Sequence, residues 1–121
     1  TASYNPNYVF SVIADHEDTI WAGTWGAGVS RYADGKWTTF TTADGLGGDV
    51  VYSIAQGPDG VYWFGPNNGL SRYDGADWQT YGTQNGLLGV DVYAIAITPE
   101  NEIWAGTKGG VARLAVVPET N

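Results

Sequence analysis

Short apolar runs, broken at close intervals by Gly, Asp, Asn and Pro, follow one another from Val9 to Val117. β-Branched and aromatic residues dominate them, and the breaks come too often for a helix to propagate, so strands are predicted throughout. The pattern places them at 9–15, 19–25, 28–33 and 37–42, then at 50–56, 61–66, 69–74 and 78–83, and finally at 92–98, 102–107 and 110–117. Runs such as VYSIA and VYAIAI are almost continuously apolar, the signature of a strand buried on both faces. WTTFTT and WQTYGT instead alternate aromatics with Thr or Gln, which fits an outer strand with one face in water.

These runs belong to a repeat. Val9–Asp49, Val51–Asp91 and Val92–Val117 are successive copies, the last one short. Their landmarks fall in phase: Trp21, Trp63 and Trp104; Gly23, Gly65 and Gly106; Arg31, Arg72 and Arg113; and, in the two longer copies, Trp37 and Trp78. The three tryptophans lie 42 and 41 residues apart, the length of a four-stranded propeller blade. The predicted fold is all-β: propeller blades of about four antiparallel strands at 9–49, 50–91 and 92–117 within one repeat domain, 1–121. The third blade lacks its fourth strand. The apolar first strands are expected to line the inner wall. Trp21, Trp63 and Trp104 are expected to pack between blades, and the recurring arginines to brace a turn or a neighbouring blade.

The elements IWAGT, GVSRY and DGL, varied as YWFGP, GLSRY and NGL and then as IWAGT and GVARL, resemble the two-component regulator propeller repeat. The resemblance spans Val9 to Val117. It implies tandem blades of the kind that form extracytoplasmic sensor domains of bacterial hybrid histidine kinases, and hence an extracellular or periplasmic location. The turn before the tryptophan departs from the family pattern in DHEDTIW and PENEIW, and Phe64 and Pro66 stand where the first copy has Ala22 and Thr24.

A net charge of −8 disfavours nucleic acid and anionic bilayers, which attract clustered Lys and Arg. No window reaches the roughly 18 apolar residues that span a membrane, so direct insertion is not expected. Cysteine is absent, and with it disulfides and thiolate metal sites. Methionine is absent too, even at position 1, which suggests a processed chain or a piece of a longer one.

His16 is the only histidine, so no multi-imidazole zinc site can form. Asp15, Glu17 and Asp18 lack the spacing of a calcium loop. No metal, cofactor or catalytic residue is expected. The strongest ligand candidate is Trp25, an aromatic at a turn where the other copies have Asn67 and Lys108; a carbohydrate would suit such a ring. Asp44, Asp49, Asn85 and Asp91, in the loops DGLGGD and NGLLGVD between blades, are further candidates.

Three blades leave two open faces, whereas closed propellers use about four to eight blades. The expectation is therefore a non-enzymatic binding or sensor module that completes its ring by self-association or with additional blades. The alternative is a self-assembling structural subunit of an extracellular oligomer or filament. The opening TASYNPNY could pair with the edge of the short blade, and Tyr4 is in phase with Leu46 and Leu87.

Overall fold

A computed structural model describes residues 8–114 of the chain. The strands form three antiparallel sheets, each ordered as its strands follow in sequence. The first holds β1 (Val9–Ala14), β2 (Ile20–Thr24), β3 (Val29–Ala33) and β4 (Lys36–Phe40). The second holds β5 (Val51–Gln56), β6 (Tyr62–Pro66), β7 (Leu70–Tyr73) and β8 (Trp78–Tyr81), and the third β9 (Val92–Ile97), β10 (Ile103–Thr107) and β11 (Gly110–Arg113). This is the predicted series of propeller blades.

Turn chemistry sets the ends. Between β3 and β4 the loop is Asp34-Gly35, both left-handed (φ 55° and 76°), the geometry of a tight two-residue hairpin that Asp-Gly favours. The strand predicted at 78–83 stops at Tyr81, because Thr83–Asn85 coils into a 3₁₀ turn closed by Gly86 at φ 105°. Of the strand predicted at 110–117, residues 110–113 are extended, and 115–117 lie outside the described residues. The same holds for residues 1–7, and so for Tyr4 and the edge pairing expected of TASYNPNY.

β1, β5 and β9 stand side by side, so these first strands form the wall at which the blades meet. Two cores lie between consecutive blades. The first joins Trp21, Val29 and Leu46 to Val51, Ile54, Phe64 and Tyr73; the second joins Trp63, Leu70 and Leu87 to Val92, Ile103, Ala105 and Leu114. Trp21 sits in a cage of rings, with centroids at 4.6 Å from Tyr62, 5.4 Å from Phe64 and 5.9 Å from Phe40. Phe64, where the first copy has Ala22, is what fills that cage.

The repeated glycine is explained at the same junction. A Cβ on Gly23 would stand 2.8 Å from the Val51 carbonyl oxygen of the next blade, and one on Gly65 would clash with the Val92 carbonyl oxygen there and with Ser53 Oγ of its own sheet. Neither residue has a positive φ, so the glycine serves close approach of backbones and not turn geometry. No described blade follows Gly106, and its Cβ would meet only Ala94 of its own sheet, at 3.6 Å.

Two expectations are corrected for the same reason. Trp104 was expected in the core with its counterparts, but while Trp21 and Trp63 are 0% and 4% exposed, Trp104 is 37% exposed. The first strands are not buried on both faces either: Val9, Phe10 and Val12 of β1 are all exposed, because no described blade precedes them. Burial belongs to the junctions, of which the described residues form two.

Trp21→Ala is expected to cost about 3–5 kcal/mol in denaturant unfolding, and Trp104→Ala less than half as much. Gly65→Ala should lower stability by more than about 1 kcal/mol through backbone contact. Equal losses for the two tryptophan variants would place the core elsewhere.

Candidate functional site

The residues singled out in the interblade loops are mostly committed to local structure. Asp44 Oδ2 accepts the Thr41 N–H at 2.9 Å, and Asp49 Oδ1 accepts that of Thr42 at 2.9 Å. Asn85 Oδ1 accepts the Gly82 N–H at 3.0 Å, closing the 3₁₀ turn. Asn67 Oδ1 accepts the Val50 N–H at 3.3 Å, across the first junction. These loops do not converge as free polar groups. They dock on the next blade: Leu46 and Leu87 are buried, the Gly47 N–H donates to Ser71 Oγ at 2.8 Å, and Gly45 lies against Trp78. Lys108 is exposed at the corresponding turn of the last blade.

Trp25 is placed differently. Its backbone bridges Val50 of the next blade, its N–H donates to the Tyr8 carbonyl at 2.8 Å, and its side chain is 51% exposed. The ring meets Phe10 edge-on with centroids 5.7 Å apart. From Phe10 the contacts continue to Tyr52 at 5.7 Å, and from Tyr52 to Tyr93 at 4.8 Å. A strip of four aromatic rings therefore crosses all three blades, with Phe10, Trp25 and Tyr93 each about half exposed. Asp91 lies beside it and accepts a long hydrogen bond of 3.5 Å from the Tyr52 hydroxyl. Burial, the Asp91 and Tyr93 charges and this bond push the Tyr52 phenol up from its ordinary range.

β-Bulges build the strip. In each blade the pairing of first and second strands slips by one residue: between Val9 and Ser11, between Val51 and Ser53, and opposite the Gly106 to Thr107 step, where Tyr93 is left over. The unpaired residue is aromatic every time: Phe10, Tyr52 and Tyr93. A bulge re-aims its side chain, and here three in-phase slips bring three rings into one row. Sequence reading missed these residues. Their signal was an aromatic after the first Val of each repeat, hidden within runs read as uniformly buried.

Comparison with known proteins gives a consistent answer. Residues 3–26 and 45–68 match the family model of the two component regulator propeller, and the three-sheet fold recurs in solved structures of such domains. These two stretches of the chain resemble the two component regulator propeller repeat. The extracellular domain assigned to a hybrid two component system of B. thetaiotaomicron shares 28% identity over 92% of this chain, with a TM-score of 0.76. A second such domain from that organism, 23% identical over 94% of the chain, superposes with a TM-score of 0.73. The chain spans only 16% of the length of either. Virginiamycin B lyase of Staphylococcus aureus shares the fold at 18% identity, covering 93% of this chain and 40% of the enzyme, with a TM-score of 0.66. No curated protein matches the chain. Among the described residues no helix is long and apolar enough to cross a membrane.

Within these propeller repeats the arginines act locally. The Arg31 guanidinium lies 5.6 Å from the ring centre of Trp21 and 5.4 Å from that of Phe40, over the first core. Arg72 is 3.9 Å from Asp74, and Arg113 pairs with Glu102 at 3.1 Å. The acidic turn of the first repeat is equally occupied. Asp15 Oδ1 accepts the N–H groups of Glu17 and Thr19, each at 2.9 Å, while Oδ2 accepts Trp21 Nε1–H at 3.0 Å and the Tyr62 hydroxyl of the next blade. Saturated in this way, Asp15 is a structural acceptor and not a cation ligand. The second repeat has Gly57 at this position, and there Trp63 Nε1 is buried with no acceptor. His16, in the same turn, donates its backbone N–H to Gln56 Oε1 at 2.7 Å, a further tie between blades.

Burial pushes the Asp15 carboxyl up, but the hydrogen bonds from Tyr62, Trp21, Thr19 and Glu17 together hold it below its ordinary 3.8. Burial and the bond to Asp15 drive the Tyr62 phenol up to about 12. A depressed carboxyl pKa stabilises the fold above the unfolded value, and that contribution is lost as the pH falls through the folded value. Asp15→Asn should therefore cost about 1–3 kcal/mol at neutral pH and flatten the fall in stability below about pH 4. Denaturation midpoints measured from pH 2 to 7 would show this; an unchanged acid limb would contradict it.

Proposed function

We propose that this chain is a non-enzymatic binding module of an extracytoplasmic sensor propeller, with the strip Trp25, Phe10, Tyr52 and Tyr93 as its ligand platform. The row of half-exposed rings carries the reading. Large aromatic patches are uncommon on surfaces without a binding role, and ring faces spaced about 5–6 Å apart suit the apolar faces of a carbohydrate chain, with Asp91 and the tyrosine hydroxyls meeting its hydroxyls. The likeness to extracellular domains of hybrid two component systems supports placing it outside the cytoplasm. In such a sensor the strip binds, and covalently linked modules signal.

A second reading concerns assembly. The exposed faces of the first and last blades favour completion by further blades, supplied by the rest of a longer polypeptide or by other copies of the chain. In the latter case the protein would be a structural subunit of an oligomer or filament.

Titration of Trp fluorescence with a panel of oligosaccharides tests the ligand reading. At least one is expected to quench or shift the emission, and Trp25→Ala or Tyr52→Ala should weaken its binding at least tenfold, with the unfolding midpoint unshifted in Trp25→Ala. Binding unaffected by both variants would contradict the assignment of the strip.

A further inference from the structure

At each internal junction one blade offers a tryptophan, a β-branched or leucine side chain from its third strand, and a bare glycine. The next blade covers them with its first strand and the aromatic or apolar residue at the end of its third. Trp21, Val29 and Gly23 are covered by Val51, Ile54 and Tyr73; Trp63, Leu70 and Gly65 are covered by Val92, Ile95 and Leu114. The last blade offers the same three features, uncovered. Val29 and Leu70 are fully buried, whereas Val111 is 68% exposed, beside a part-exposed Trp104 and the open Gly106. At the other end of the chain the covering set is also uncovered. Val9, Val12 and Tyr32, the in-phase counterparts of Val51, Ile54 and Tyr73, are all exposed, as is Trp37, the counterpart of Trp78. One chain thus presents both halves of an interface that it builds twice internally.

We propose that the last blade of one copy seats head-to-tail on the first blade of a second copy, and that the aromatic strip is completed across this contact. This rests on the assembly reading above and names its partner and register. Val9 of the second copy would stand to Gly106 as Val51 stands to Gly23. Phe10 of the second copy would then follow Tyr93, as Tyr52 follows Phe10, and Trp25 would come with it. The ligand platform of one chain is therefore extended by two rings from another. The surface is heterologous, so twice three blades can close a ring of six, within the usual range for propellers.

Gly106 supplies a test by one methyl group. Within a chain its Cβ has room, so Gly106→Ala should leave the unfolding midpoint of dilute protein unchanged. At the junction the methyl would meet a carbonyl, as a Cβ on Gly23 or Gly65 would, and assembly should fail. Light scattering over a concentration series is expected to give a multiple of the chain mass for the wild type and a single chain mass for Gly106→Ala. A variant that assembles as the wild type does would overturn the register while leaving self-association intact. A wild type that stays at one chain mass would overturn the proposal altogether. The oligosaccharide titration, read on the strip of a single chain, stands or falls separately.

Cross-linking tests the register without adding a clash at the junction. The chain has no cysteine, so in a mixture of Phe10→Cys and Tyr93→Cys proteins each chain carries one thiol. Mild oxidation should give the mixed disulfide in at least fivefold excess over either homodimer. A statistical distribution of the three dimers would overturn the head-to-tail contact.

Discussion

The close approach of one blade's second strand to the next blade's first strand is the contact on which the rest of the molecule depends. It needs a residue without a Cβ, which Gly23 and Gly65 provide, since a methyl at either would stand within 3 Å of a carbonyl oxygen. Once the backbones are that near, Trp21 and Trp63 reach into the following sheet and the two cores close around them. The interblade loops follow from the same spacing, because Leu46 and Leu87 fill what the tryptophans leave. A single blade has almost no core of its own, and its hydrophobic face becomes interior only when another blade covers it.

That dependence explains what was legible in sequence. The in-phase tryptophans, glycines and arginines, the Asp-Gly turns and the blade length all reflect local or nearest-neighbour constraints, and the strands appear where these place them. The exposure of Trp104 was not legible from the repeat, because IWAGT reads identically in the first and third copies. What differs is whether another blade follows, which is a property of the array.

The candidate site was harder to read for a different reason. Trp25 was visible because it breaks the repeat, but Phe10, Tyr52 and Tyr93 obey it. Only the one-residue slip in each sheet turns them into a row, and their signal, an aromatic after the first Val of each repeat, lies within runs that read as uniformly buried. The polar loop residues were conspicuous in sequence for the converse reason: Asp44, Asp49 and Asn85 are good turn formers, and their side chains are spent on the backbone. In the acidic turn of the first repeat, Asp15 is likewise spent on hydrogen bonds, one of them from Tyr62 of the neighbouring blade.

If stability resides in the junctions, the middle blade, covered on both sides, must be the last to open. Amide hydrogen exchange at a concentration low enough to keep chains separate measures this directly. The slowest amides are expected in β5, β6 and β7, with β1 and β11 exchanging faster by at least tenfold. Uniform protection across the three sheets, or slowest exchange in the first or last blade, would contradict a fold held together between its blades.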